Sequence, residues 1–324
     1  MKALTDAPAR NLHGTRCRLN TQPSTVTTMA TDADEDQAVG PVGRLVAGRY
    51  QLRSLLGRGG MGRVWLAEDE LLHRPVALKQ VVLIGPASEE SRRAALVRAL
   101  AEARAAARVH HDGVVRIHDL AKQGGHPWIV MELLSGRNLA QILDGEGPLS
   151  IEQVRHIGLS LLDALHAVHR AGVVHCDVKP ANVQLCQGGR VVLTDFGIAR
   201  SPDDDLRSLT HIFVGSPAHA SPEWLRRDKP RPASDLFSLG ATLFSAVEGK
   251  PPFDRGDLFA TLTAVAEDPP APFLRAGPLR AVIEGLLAKE PDRRLTNDQA
   301  RAELRAVQRQ RPTLTVGPER ILSS

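Results

Sequence analysis

Residues 175 to 183 read HCDVKPANV, and after a short apolar run the chain reads TDFG at 194 to 197. No other part of the sequence restricts the fold as tightly. The two segments put Asp177, Lys179, Asn182 and Asp195 in two tight loops flanking the strand-like VVL of 191 to 193. A lone carboxylate near a lysine is ordinarily a surface ion pair. Four functional types at these offsets are instead a set with separate duties: a base, an ammonium to clamp phosphate oxygens, and two oxygen donors suited to a hard divalent cation. Transfer of a phosphoryl group from ATP needs such a set.

The surrounding pattern is α+β. Residues 1 to 48 are rich in Thr, Ala, Asp, Pro and Arg without apolar periodicity, which predicts a disordered leader. Met29 opens a second plausible start, so the leader is also readable as the product of a misassigned start. From Arg49, YQLRSLLG, VWLAED and VALKQVVL read as strands, Ser88 to Val109 as a helix, and VVRIHDL and WIVMEL as two further strands. After Gly136 the pattern becomes helical. Ser150 and Gln153 form a capping box, Ile151, Val154, Ile157, Leu161, Leu165 and Val168 line one face, and Gly172 ends that helix. The expected division is a sheet-rich lobe over 49 to 134 and a helical lobe over 137 to 308, with a ligand cleft at the junction and a short tail over 309 to 324.

Composition narrows the setting. A 42% hydrophobic, 24% charged chain with a formal charge of +4 is that of a soluble globular protein and makes no demand for nucleic acid. The densest basic run, RRDKPR at 226 to 231, reads first as a solvated loop and second as a surface steering acidic or phosphorylated partners. Cys17, Cys176 and Cys186 match neither a disulfide framework nor a zinc site, which points to a reducing, cytoplasmic environment. The sequence has no signal-peptide pattern and no apolar segment of membrane-spanning length.

The segment GRGGMGRV, with Gly57, Gly59 and Gly62, suits a backbone that must approach phosphate oxygens with no side chain in the way. The pattern alone fits a dinucleotide-binding turn as well as a hairpin. A dinucleotide fold requires a helix directly after the glycines, whereas Val64 to Ala67 continue as a strand. Lys79, in VALK on the next strand, can neutralise phosphate charge, and Ala77 leaves room for a flat base. Its expected helix partner is Glu102, which shares a stripe with Ala95, Ala99 and Ala106.

Taken together these segments resemble the catalytic domain of protein kinases, in particular the bacterial serine/threonine kinases of eukaryotic type. The resemblance implies a two-lobed fold and transfer of the ATP γ-phosphoryl group to Ser/Thr hydroxyls of protein substrates, with Mg²⁺ or Mn²⁺, in bacterial signalling with autophosphorylation. It implies that Asp177 accepts and orients the substrate hydroxyl, that Lys179 stabilises the transferring group, and that Asn182 and Asp195 hold the metal. Lys79 and Glu102 become an ion pair. Leu56, Gly57, Arg58, Gly59, Gly60, Met61, Gly62, Arg63 and Val64 cover the nucleotide, with Ala77, Met131, Glu132, Leu134 and Gln184 around the base. GSPAHASPEW at 215 to 224 resembles the peptide-positioning segment, with Glu223 paired to Arg294, and DLFSLG resembles the helix whose Asp235 supports the catalytic loop.

Two neighbours depart from the family pattern. Cys176 stands where most relatives carry an arginine that binds a phosphorylated activation segment, which implies weaker dependence on that phosphorylation. Gln184 stands where an apolar residue floors the adenine pocket. Ser201, Ser208, Thr210 and Ser216 lie in the segment corresponding to the activation segment and are candidate autophosphorylation sites, none of them singled out by the sequence. A binding scaffold without catalysis and a small-molecule kinase are the competing classes. All four catalytic types are present, against the first, and the long segment ending in SPE argues against the second.

Overall fold

The computed structural model describes residues 42–59, 62–81, 88–196 and 217–307. Ser201, Ser208, Thr210 and Ser216, together with Gly60 and Met61, lie outside them. Ordered chain begins earlier than the composition suggests. Leu45–Val46 (β1) pairs antiparallel with Tyr50–Gly59 (β2), and Val46 is buried. A two-residue strand is too short to carry a periodic signal.

β2 continues antiparallel into Gly62–Asp69 (β3) and Arg74–Val81 (β4), and the sheet is completed by Ile117–Gln123 (β5) and His126–Met131 (β6) in the order β1-β2-β3-β4-β6-β5. Alternation places Trp65, Ala67 and Asp69 of β3 inward. The helix Glu89–Ala106 (α1) buries Ala99, Ala103 and Ala106. Small residues at this spacing form a smooth face that packs close to the sheet.

One expected strand starts later than its sequence suggests. Val114 and Val115 precede β5 and pair instead with Val191–Leu193 (β9) of the other lobe: Val115 N–H donates to Leu193 O (3.0 Å) and Leu193 N–H to Gly113 O (2.8 Å). Their β-branched character is used between the lobes, directly beneath the TDFG loop. With β9, Arg137–Asn138 (β7) and Val183–Leu185 (β8) form a second, three-stranded sheet.

The rest of the large lobe is helical: Leu139–Glu146 (α2), Ile151–Arg170 (α3), Pro222–Leu225 (α4), Pro232–Glu248 (α5), Leu258–Ala266 (α6), Arg280–Leu286 (α7) and Asn297–Val307 (α8). α3 starts at the expected capping box, with Ser150 N–H donating to Gln153 Oε1 (3.0 Å) and Gln153 N–H to Ser150 Oγ (3.3 Å). Such a cap contributes about 1 kcal/mol. Val154, Ile157, Leu161, Leu165 and Val168 are buried along its inner face. Against them lies α5, buried from Ser234 to Val247, with Phe237 stacked on Phe253 at 5.7 Å. This is the two-lobed arrangement implied by the resemblance. No described helix is long and apolar enough to cross a membrane.

Candidate active site

The catalytic loop is hung from the start of the central helix. Asp235, in the first turn of α5 and fully buried, accepts the backbone N–H of His175 on Oδ2 (2.8 Å) and that of Cys176 on Oδ1 (2.9 Å); its Oδ2 also meets His169 Nε2 at 2.7 Å. Cys176 is thereby held at φ +63°, a conformation that costs a non-glycine residue about 1 kcal/mol or more. His175 is committed at both ring nitrogens. Nδ1 accepts Asp177 N–H (3.3 Å), so Nε2 carries the proton that goes to Thr194 O (3.1 Å). Burial, only partly offset by Asp235 and Asp177, holds the His175 pKa below its ordinary value, in keeping with this neutral tautomer. Its contacts fix the loop.

That fixing aims Asp177. Its Oδ2 lies 2.9 Å from Lys179 Nζ and accepts Asn182 Nδ2 (2.8 Å), which also donates to the Asp177 carbonyl (2.8 Å). With Asn182 Nδ2 committed in this way, the amide oxygen is the end left to meet a cation. The TDFG loop is tied to the same loop through Thr194, whose N–H (2.9 Å) and Oγ1 (3.2 Å) both donate to Asn182 O, and through Phe196, whose ring lies 4.7 Å from His175. Asp195, at φ +55°, turns its Oδ1 to within 2.9 Å of Lys79 Nζ. Residues 116 apart in sequence thus meet across the lobes.

The carboxylate at Lys79 is therefore that of Asp195, and the expected Lys79–Glu102 pair is not the one formed. Glu102 is exposed on α1. The buried stripe runs through Ala99, Ala103 and Ala106, and Glu102, one residue before Ala103, is rotated about 70° off its centre.

Around the expected base pocket, Val64 pairs in register with Lys79, and Ala77 with Met131. Ala77 and Met131 are buried, Val64 and Leu134 half-buried, while Leu56, Gly57 and Arg58 stand exposed at the cleft edge and Gly62 has φ +131°. Gly136 ends the linker at φ +92°, where a Cβ would collide with the Leu185 carbonyl oxygen. Gln184, expected at the floor of the pocket, donates from Nε2 to Ser135 O (3.2 Å), so its amide is turned to the linker backbone.

Sequence reasoning missed Arg190. In the β8–β9 turn, it lays its guanidinium against Glu132, with Nη1–Oε2 and Nη2–Oε1 both 2.9 Å, and donates from Nε to Asp112 O (2.7 Å). Its only sequence signal is its place after Gly188 and Gly189. His219 was likewise missed. It is buried, and Nε2 meets Ser245 Oγ at 3.0 Å, while that hydroxyl donates to Ala241 O (2.8 Å). The expected Glu223–Arg294 pair is formed, at 2.8 Å and 3.1 Å, with both side chains buried.

The donor set suits a hard cation. Asn182 and Asp195 offer oxygens, and among the described residues no group of three or more His, Cys, Asp or Glu side chains forms a competing metal cluster.

The chain matches the family model for the protein kinase domain over residues 50–304. It is 36% identical over 295 residues to the serine/threonine-protein kinase PknA of Mycobacterium tuberculosis strain H37Rv, a match spanning 86% of this chain and 67% of that protein. The same figures hold for PknA of Mycobacterium bovis. Identity to PknB of the same tuberculosis strain is 37% over 270 residues, covering 80% of this chain and 42% of PknB. A loop carrying Asp177, Lys179 and Asn182, joined across a two-lobed fold to Lys79 through Asp195, accords with those matches: the chain belongs to the protein kinase family, among the bacterial serine/threonine kinases of eukaryotic type.

Proposed function

We propose that the protein transfers the γ-phosphoryl group of ATP to serine or threonine hydroxyls of protein substrates. The observation that carries this reading is the Asp177 carboxylate, buried and fixed at its Oδ2 by Lys179 Nζ at 2.9 Å and Asn182 Nδ2 at 2.8 Å. An acceptor so fixed can orient a hydroxyl and take up its proton as the oxygen attacks. When bound, ATP supplies the transferable group and Mg²⁺, or Mn²⁺ in its place, neutralises charge on the phosphates. Lys179 then has a cationic head beside the reacting oxygens. Asn182 and Asp195 are the residues that would hold the metal, Lys79 would meet the phosphates, and the backbone of Glu132 and Leu134 would bond the base edge.

A kinase domain spanning about residues 49 to 308 accommodates these roles. Among the described residues Cys176 and Cys186 form no disulfide, in keeping with a reducing, cytoplasmic setting. The test is γ-labelled ATP with purified protein, Mg²⁺ and a generic protein substrate, alongside Asp177→Asn. We expect label on protein Ser/Thr and a loss of roughly 10²–10⁴-fold in the variant. Transfer that survives the substitution removes Asp177 from its role, and transfer only to a metabolite overturns the protein-kinase reading.

A further inference from the structure

We propose that the basic loop at residues 226 to 231, between α4 and α5, is a docking surface for acidic residues that flank the acceptor Ser or Thr of the substrate. The inference rests on the protein-kinase reading and names its substrate class. Arg226, Arg227, Lys229 and Arg231 are all exposed, with Asp228 the one carboxylate among them. Arg226 alone has acidic neighbours, Asp228 at 3.8 Å and Glu290 at 4.0 Å, both long and exposed. Among the described residues, no ion pair engages Arg227, Lys229 or Arg231. Among the described residues, then, an intramolecular salt-bridge network does not account for the run.

The loop is also rigidly mounted. Arg226, Arg227 and Asp228 donate their N–H groups to the carbonyls of Pro222 (3.1 Å), Trp224 (3.0 Å) and Glu223 (2.9 Å), and Arg231 N–H donates to Ser234 Oγ (3.3 Å). Glu223 is itself clamped by buried Arg294, and Arg227 sits at φ +66°. Cations on a fixed backbone lose less freedom on binding than those on a loose one.

Position supplies the link to catalysis. Trp224, in the α4 turn that leads into this loop, and Pro230, within it, line the same cavity as Asp177. An extended peptide advances about 3.4 Å per residue, so a segment presenting its hydroxyl to Asp177 passes the loop within a few residues of the acceptor. The field of four cations there favours carboxylates or phosphates and disfavours lysine and arginine. The chain itself contains a sequence of this kind beside its TDFG segment: Asp203, Asp204 and Asp205 precede Ser208 by three to five residues.

The experiment uses the full chain and peptides copying residues 199 to 214, with the three aspartates intact, replaced by asparagine, or moved to the C-terminal side of Ser208. The readouts are kcat/KM and fluorescence-anisotropy binding. We expect at least one acidic peptide to exceed the asparagine peptide by about tenfold at low salt, with the gap closing as ionic strength rises. Arg227→Glu/Lys229→Glu should abolish that gap in both readouts and leave the asparagine peptide within about twofold. Equal values for all three peptides overturn the proposal, as does a parallel loss on every peptide in the variant. Binding of the loop to anionic lipid vesicles with no peptide charge dependence overturns it too. Absence of phosphorylation on any peptide, with charge-dependent binding retained, fails the kinase reading and leaves the docking surface standing.

Discussion

Arg190 and Glu132 meet as two parallel N–H···O contacts of 2.9 Å, joining the turn of the β8–β9 hairpin to the linker between the lobes. Burial alone would raise the Glu132 carboxyl. The Arg190 hydrogen bonds and the N–H of Arg116 outweigh it and hold the pKa below the ordinary value. Because Glu132 N–H also donates to Arg116 O (2.9 Å), the fork fixes the backbone that is proposed to meet the base.

Arg190→Ala should therefore raise the KM for ATP by roughly fivefold, equivalent to about 1 kcal/mol, with a smaller change in kcat. Arg190→Lys should restore little, since an ammonium cannot make the paired contact. Steady-state kinetics over an ATP series decides this, and an unchanged KM would separate the fork from nucleotide binding.

Gln184 reaches Ser135 O at 3.2 Å, so its amide braces the same linker from below. Gln184→Leu removes that bond and presents an apolar floor. The KM for ATP should shift by severalfold while kcat stays within about twofold, since one neutral hydrogen bond is worth about 1 kcal/mol. A change confined to kcat would mean that the side chain acts on the catalytic loop.

Asp235→Asn tests the suspension of that loop. The amide keeps one acceptor but loses the charge and the second acceptor that hold His175 and Cys176. kcat should fall by roughly 10- to 100-fold with the KM for ATP little changed, because misplacement of Asp177, proposed to orient the acceptor hydroxyl, would affect the transition state more than nucleotide binding. Retained kcat would show that the φ of Cys176 is fixed by other contacts.

How far these relations were legible in the sequence depended on their range. Asp177, Lys179, Asn182 and Asp195 declare themselves because the loops holding them are short and their chemistry is dense. The α3 boundary was legible because Ser150 and Gln153 satisfy backbone donors locally. The Lys79 partner was not: a helix rich in Ala and Arg has a weak apolar stripe, so a rotation of one residue places Glu102 or Ala103 inward, and packing decides. Val114 and Val115 looked like ordinary strand residues because composition records β-branching and not which sheet claims it. Nothing local to Arg190 or His219 named its partner, since those partners lie 58 and 26 residues away.

The Glu223–Arg294 pair is sealed from solvent, with Arg294 also donating to Ala288 O (3.0 Å) and its guanidinium 5.0 Å from the Phe237 ring. Removing one partner leaves a buried charge. Arg294→Ala should cost about 3–5 kcal/mol in urea unfolding, and Arg294→Met with Glu223→Leu should cost distinctly less than the single change. A loss under about 1 kcal/mol for the single variant would mean that water reaches Glu223.

His219 supplies the pH dependence. Burial is the largest cause, and with Lys179 nearby it lowers the pKa from 6.5 to about 4, against the opposite pull of Asp177 and Asp254. The ring is thus neutral in the folded protein while the unfolded chain protonates near 6.5. The unfolded state binds the extra proton between these values, so stability is full above pH 6.5, falls as the pH drops towards 4, and loses up to about 3 kcal/mol from this residue. His219→Phe should flatten that part of the curve in urea titrations at pH 7, 5.5 and 4.5, and buried His175 should preserve a residual slope. An unchanged slope in the variant would mean that His219 is protonated as readily in the folded protein as in the unfolded chain.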